Sequence, residues 1–340
     1  MSKTAVGYGD VTLKAPREIV YLEYSPSSLP PKPSPEWPRF VCISDTHSHA
    51  FDVPDGDVLL HGGDLTDLGH VEDFEKTMDW LCSLPHKVKI IIAGNHDLTL
   101  HADWYEKEYD RFHDAKEDLK AIMQLLKGDR AKEAGIVYLQ DEKYEFQLEE
   151  GGRLWSIYGS PWSPEFFNWA FNYERKRGKG LFLSGSSSKA KDPNFASSLL
   201  PDLVSKFPKT DILLTHGPAY QILDQVVQGE AVGCEALRAR LPELRPRIHL
   251  AGHIHEAHGA YIHTWKSSNG EPPIVENDDL AVVNGQTIED DKEDEGRIVE
   301  RTVFVNAANW PMGDRTIRGG VVVDEFGGPG FQAVVVDLKG

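Results

Sequence analysis

The chain has 340 residues, 40% of them hydrophobic and 26% charged, which suits one large or two ordinary globular domains and excludes a disordered chain. Against 36 basic residues stand 54 acidic ones, a formal charge of -18 that argues against wrapping long nucleic acid, although bound metal ions would reverse the local potential for a small phosphate. Cys42, Cys82 and Cys234 make neither a C-x-x-C pair nor a disulfide framework, and there is no signal-like core or long apolar run, so the expected setting is the cytoplasm, with the nucleus left open and no membrane attachment.

Residues 25–38, rich in proline and serine, predict an extended lead-in. Phe40 to Ser44 follow as a short buried strand, and the same pattern recurs at 58–60, 88–93, 212–214 and 248–251. Val71, Phe74, Met78 and Leu81 lie at helical spacing, and Pro85 stops that helix. The first third therefore reads strand, strand, helix, strand, an α/β arrangement. Residues 103–133 are highly charged and read as an outer helix or insertion. The Lys-, Gly- and Ser-rich stretch 175–193 and the polar stretch 266–300, with its acidic run at 289–295, read as surface loops. Strands return at 303–305, 321–323 and 333–336. The expected organisation is a lead-in over 1–38 packed on or near one domain over 39–340, with polar insertions near 103–133, 175–193 and 266–300.

Each of the five apolar runs ends in metal-ligand residue types: Asp45-Thr46-His47, Gly63-Asp64, Gly94-Asn95-His96-Asp97, His216 and Gly252-His253-Ile254-His255. Ligands in open α/β sheets bind beyond the carboxyl ends of the strands, so five strand ends facing one way would deliver these side chains to one volume. Two ions about 3.5–4 Å apart need a shared carboxylate and a shell of oxygen and imidazole donors. Any one of these segments alone reads as a turn. Together, their order and placement are what turns chosen for backbone reasons would not supply.

These blocks resemble the calcineurin-like metallophosphoesterases over about residues 40–310. FVCISDTHS, DVLLHGGDLTDLG, IAGNHDLT, YGSPWSP, DILLTHGP and VGCEAL are similar to the metallophosphoesterase-domain-containing subgroup. The resemblance implies a four-layer α/β/β/α sandwich of two mixed sheets flanked by helices. It implies that Asp45, His47 and His255 hold one ion, that Asn95, His216 and His253 hold the other, and that Asp64 bridges them. His96 would be the catalytic histidine, with Asp97 where the family has Asp or Glu to orient it. Some vertebrate members of the subgroup carry glycine at the position of His253, so its presence here favours a complete second ion position. The expected cofactors are two divalent or trivalent ions, manganese or iron first and zinc next, since the donors include no thiolate.

The expected activity is hydrolysis of a small phosphate ester, foremost a phosphodiester such as a cyclic nucleotide. A phosphomonoesterase on the same site is the alternative, and a nucleotide-binding or scaffold protein with a low-activity metal site is a third reading. A barrel hydrolase, raised by His47-x-His49, leaves Asp64 and Asn95 without a role. Asp97 also reads as a turn residue satisfying local amides. His49 is expected at the surface or facing substrate, and His61 as strand-end packing. Tyr158, Trp162, Phe166, Phe167 and Trp169 read as core rather than a stacking platform, Asn168 and Asn172 as substrate contacts, and Cys234 as a buried small hydrophobe.

Overall fold

The hydrophobic runs pair into two mixed sheets. In the computed structural model the described residues are 11–25, 29–173, 200–265, 270–275, 287–288, 299–313, 317–318, 321–322 and 325–340. Strands in chain order are β1 (Val11–Ala15), β2 (Glu18–Glu23), β3 (Arg39–Ile43), β4 (Val58–His61), β5 (Val88–Ile92), β6 (Ile136–Leu139), β7 (Glu142–Gln147), β8 (Leu154–Ser160) and β9 (Ser163–Pro164). They continue as β10 (Asn172–Tyr173), β11 (Ile212–Thr215), β12 (Ile248–Ala251), β13 (Gly259–Thr264), β14 (Arg301–Asn306), β15 (Ile317–Arg318), β16 (Val321–Val322) and β17 (Val334–Leu338). One sheet runs β1-β2-β17-β3-β4-β5-β6 and the other β13-β14-β12-β11-β8-β7, while β9 with β10 and β15 with β16 make small ribbons. β3 to β6 are parallel, as are β14, β12, β11 and β8, while β1, β2, β17, β13 and β7 pair antiparallel with their neighbours.

Alternation along each strand builds the layers. Phe40 and Cys42 of β3, Leu60 of β4 and Ile90 and Ile92 of β5 pack against Ile212, Leu214, Leu250 and Val303 of the other sheet. Their neighbours Val41, Ile43, Leu59 and Ile91 point outward and are covered by Phe74, Met78, Leu81, Ile122 and Leu126. The outer face of the second sheet, Leu213 and Phe304, is covered by Leu237, Leu241 and Leu244. Helices on both outer faces and two sheets between them give the α/β/β/α sandwich that the resemblance implied.

The helix α1 spans Val71–Ser83, as its spacing predicts, and Leu84 ahead of Pro85 is already extended. The charged stretch 103–133 is not one helix but three: α2 (Ala102–Glu108), α3 (Leu119–Lys127) and α4 (Asp129–Glu133). Asp118 starts α3 by accepting from the amides of Lys120 and Ala121 (3.0 and 3.1 Å), and Gly128 in extended backbone separates it from α4. Downstream, α5 spans Leu200–Ser205 and α6 spans Glu235–Leu244. Buried Cys234 caps α6, its sulfur accepting from the Leu237 amide.

Residues 11–23 form a β-hairpin that joins the first sheet through β17, so the sheet extends into the expected lead-in. Residues 175–193 and the acidic run at 289–295 lie outside the described residues. Among the described residues no helix is long and apolar enough to cross a membrane.

Candidate metal centre

The parallel strands of both sheets end at the same place. The Asp45 amide donates to the Gly63 carbonyl (2.9 Å), the Gly252 amide to the His216 carbonyl (3.0 Å), and the Ser44 and Asn309 segments bond to each other across the join (2.9 and 3.1 Å). The turns leaving β3, β4, β11, β12 and β14 are therefore stitched together by hydrogen bonds, and the turn after β5 joins them through the His96 amide on Asp64 Oδ1 (2.7 Å). That stitching requires unusual backbone: Asp45, His47, Asp64 and His253 all have positive φ (55°, 44°, 52° and 68°). Such a conformation costs a non-glycine residue about 1–2 kcal/mol, and it clusters where function constrains the chain.

Two ligand groups result. Asp45, His47 and His255 offer atoms within 4.8 Å of one another, and so do Asp64, His216 and His253. Asn95 joins the second group, its Oδ1 2.9 Å from His216 Nε2. Asp64 stands between the groups: Oδ1 is 3.5 Å from His216 Nε2, and Oδ2 is 3.9 Å from His47 Nε2. His255 Nε2 lies 3.2 Å from Asp45 Oδ1, and the His253 amide donates to both Asp45 oxygens (3.0 Å each). All seven residues singled out as ligands are brought together.

These buried groups shift one another's ionisation. Burial alone would raise Asp45 and Asp64, but His255 beside the first and His216 beside the second hold both carboxyls below their usual range. Burial would lower His216, yet Asp64 and then Asp45 push it up to about 9. Burial pulls His47 down to about 4 and His253 to about 3, leaving neutral rings with lone pairs to offer.

His96 lies beside these groups. Its amide donates to Asp64 Oδ1 (2.7 Å), its ring stands edge-on to His47 (4.6 Å), and its Nδ1 is 2.7 Å from the Asp67 carbonyl. A carbonyl only accepts, so Nδ1 carries the proton and Nε2 faces away from that contact. Asp97 does not orient this ring. It is fully buried, and its carboxylate accepts from the amides of Gly94 (2.8 Å), Leu65 (3.1 Å) and Thr66 (2.9 Å) and from the Thr66 hydroxyl (2.8 Å). Being next to His96 in sequence sends the side chain the other way, and the turn-residue reading is the one the hydrogen bonds match.

Residues 38–257 match the Calcineurin-like phosphoesterase family. The chain belongs to this family. Human Metallophosphoesterase domain-containing protein 1 is 38% identical over 241 residues, covering 67% of this chain and 64% of that protein, and the mouse protein gives the same figures. The Caenorhabditis elegans UPF0046 protein C25E10.12 is 30% identical over 252 residues, covering 70% of this chain and 73% of that one. The chain thus spans slightly less than two thirds of the human and mouse relatives it matches.

Calcineurin-like phosphoesterases bind a dinuclear metal centre, and the residues here fit one. Among the described residues, both ring nitrogens of His47 and Nδ1 of His255 are buried with no hydrogen-bond partner, an arrangement costly for imidazoles unless something else engages them. The donors are carboxylate, amide oxygen and imidazole, which suits first-row divalent ions. Gly94 leaves room that a side chain would take, since a Cβ there would sit 2.3 Å from Asp64 Oδ1.

Around the centre, His61 is fully buried, with Nδ1 accepting from the Gly63 amide (3.2 Å) and Nε2 2.9 Å from Thr46 Oγ1, so it shapes the turn that presents Asp64. His49 is exposed and packs on Trp310 (5.1 Å) and Phe326 (5.2 Å). Tyr158 is core as expected, but Phe166 and Phe167 are 53% and 75% exposed, and Trp169 lies 4.3 Å from the His96 ring. Asn172 closes that segment by accepting from the amides of Phe166 (3.1 Å) and Trp169 (3.0 Å). Exposed Asn168 gives its carbonyl to Arg111 (2.8 Å). Sequence reasoning missed the Asp67 carbonyl and Trp310, whose ring stands 5.4 Å from His47. A backbone carbonyl leaves no residue-type signal, and Trp310 follows a strand end that carries no ligand.

Proposed function

We propose that this chain is a dimetal-dependent phosphoesterase acting on small phosphodiesters, cyclic nucleotides among them, with manganese or iron as its ions. The observation that carries this reading is Asp64, one buried carboxylate whose two oxygens face two separate imidazole groups. In this reading Asp45, His47 and His255 hold one ion, Asn95, His216 and His253 hold the other, and Asp64 is shared. When bound, such a pair acidifies a water and offsets the charge on the phosphoryl oxygens.

The remaining chemistry belongs to the protein. His96, anchored through Nδ1–H, presents Nε2 to the leaving oxygen or to a phosphoryl oxygen, where only the doubly protonated ring has a second N–H to donate, and the side chain is 26% exposed, open enough for a substrate to reach. Its amide fixes one oxygen of Asp64, so proton donor and shared ligand move together. Trp169 and Phe166 face His96 and His253 (4.3 and 6.1 Å between ring centroids), an apolar wall suited to a second organic group on phosphorus. Each aromatic contact of that kind adds about 0.5–1.5 kcal/mol. A dianionic monoester has no such group to place there, which favours the diester.

The test is a parallel assay with Mn²⁺ of bis(4-nitrophenyl) phosphate, 2′,3′- and 3′,5′-cyclic nucleotides and 4-nitrophenyl phosphate. Faster turnover of the diesters is the expected result. Turnover of the monoester alone would overturn the diester preference, and no turnover of any would leave the scaffold reading in its place.

A further inference from the structure

We propose that His113 is a positioning residue for His96, acting through the loop of residues 67–69; the inference rests on the catalytic role of His96 proposed above. Three consecutive carbonyls of that loop each engage a different side chain. Asp67 O holds His96 Nδ1 at 2.7 Å, Leu68 O is 3.0 Å from His113 Nε2, and Gly69 O accepts from the Thr99 hydroxyl at 2.8 Å. Gly69 turns the loop with φ 77°, and a Cβ there would meet the Leu98 amide nitrogen at 2.9 Å, so the loop has little freedom at that end. In the middle of the loop His113 is the only side chain among the described residues that bonds the Leu68 carbonyl.

His113 is itself locked. The Leu68 carbonyl can only accept, so Nε2 carries the proton and Nδ1 accepts from the Tyr105 hydroxyl (2.6 Å), whose oxygen in turn accepts from the Glu117 amide (3.1 Å). His70 stacks on the ring at 4.1 Å and pairs with Glu117 (2.7 Å), which also receives the Val71 amide at the start of α1 (3.3 Å). Burial, and then His70, lower the His113 pKa, which keeps the ring neutral with one donor and one acceptor nitrogen.

His70, His113 and Glu117 have the residue types of a further metal site, and their ligand atoms lie within 4.8 Å of one another. Their geometry does not. The two imidazole planes are 27° from parallel, so their in-plane lone pairs run side by side instead of converging, and both His113 nitrogens are already engaged. The cluster is a hydrogen-bond frame for the loop. It links α1, α2 and the catalytic histidine through one chain of partners.

The test measures kcat for aryl methyl phosphodiesters whose phenols range from 4-nitrophenol to phenol, in wild type, His96→Ala, His113→Phe, His113→Gln and Tyr105→Phe. A proton donor matters most for the poorest leaving group, so misaligning His96 must steepen the dependence of log kcat on leaving-group pKa. His113→Phe is expected to lose about 10–100-fold on the phenyl ester and under about threefold on the nitrophenyl ester. It should follow His96→Ala in slope and keep its metal content, while His113→Gln, which keeps an N–H for Leu68, recovers most of the loss. Tyr105→Phe should shift the slope the same way by a smaller amount. A uniform drop across the series, or loss of metal, would overturn the proposal. A second readout needs no activity: crystals of His113→Phe without added metal should show His96 Nδ1 beyond hydrogen-bond reach of Asp67 O, and an unchanged 2.7 Å contact would overturn it. If wild type cleaves none of the esters, the hydrolytic reading fails and this distance alone decides the positioning claim.

Discussion

Gly252→Ala puts one methyl group into the join between the sheets. A Cβ at residue 252 would lie 2.1 Å from Asp45 Oδ2 and 2.1 Å from Ser44 Oγ, about 1.3 Å short of ordinary van der Waals contact at 3.4 Å. Ser44 can rotate its hydroxyl aside, but its Cβ, 2.8 Å from the new methyl, moves only with the backbone. The Asp45 carboxylate has no such escape, because it is bonded to the His253 amide through both oxygens (3.0 Å) and faces His255 Nε2 at 3.2 Å. It must therefore move by about 1 Å, twice the tolerance of roughly 0.5 Å for a metal or catalytic constellation. A displacement of that size costs on the order of 100-fold in rate. The assay is metal content after dialysis against Mn²⁺, together with kcat/KM on an aryl diester and a thermal melt. The variant should fold, bind less than two ions and turn over about 100-fold more slowly. Two tightly held ions with activity within threefold of wild type would refute the steric reasoning and the ligand role of Asp45 together.

Other expectations concern the scaffold. Asp337→Asn breaks the two-pronged pair with Arg39 (Nε–Oδ1 and Nη2–Oδ2 both 2.7 Å), which is nearly fully buried across β17 and β3, and should cost about 3–5 kcal/mol by urea unfolding; a loss under about 1 kcal/mol would contradict it. Burial alone would raise Asp211, but the Ser156 amide and hydroxyl and Arg153 together hold it below its ordinary value. The stabilisation from a lowered carboxyl is present above its unfolded pKa near 3.9 and is lost as pH falls through the folded value. The stability gap between wild type and Asp211→Asn, on the order of 1–3 kcal/mol at pH 7, should therefore close below about pH 4, and a gap that widens on acidification would reverse the sign. Cys234→Ala removes the sulfur that accepts from the Leu237 amide and should cost about 1 kcal/mol of stability with no change in metal content.

Five of the parallel strands, β3, β4, β5, β11 and β12, could be read from sequence because each is a short apolar run closed by glycine or a polar ligand, whereas β6 and β8 were missed. The ligands could be read because each stands immediately after such a run. The hairpin at 11–23 was missed because its short strands carry Lys14, Arg17 and Glu18, which look like loop residues until β17 pairs beside them. Glu142–Gln147 was missed for a similar reason, since four of its six side chains are exposed at the sheet edge. The four-layer form came from the resemblance, not from periodicity, because period-two patterns do not say which sheet a strand joins. Asp97 shows the limit at the site. Its neighbour in sequence is His96, but its carboxylate is enclosed by the amides of Leu65, Thr66 and Gly94, and only the fold reveals that the orienting partner is the Asp67 carbonyl.

Anomalous diffraction from crystals soaked in Mn²⁺ tests the shared-carboxylate centre most directly. Two peaks about 3.5–4 Å apart are predicted, one beside Asp45, His47 and His255, the other beside Asn95, His216 and His253, with one Asp64 oxygen on each. A single peak, or two peaks that leave Asp64 uncoordinated, would contradict it.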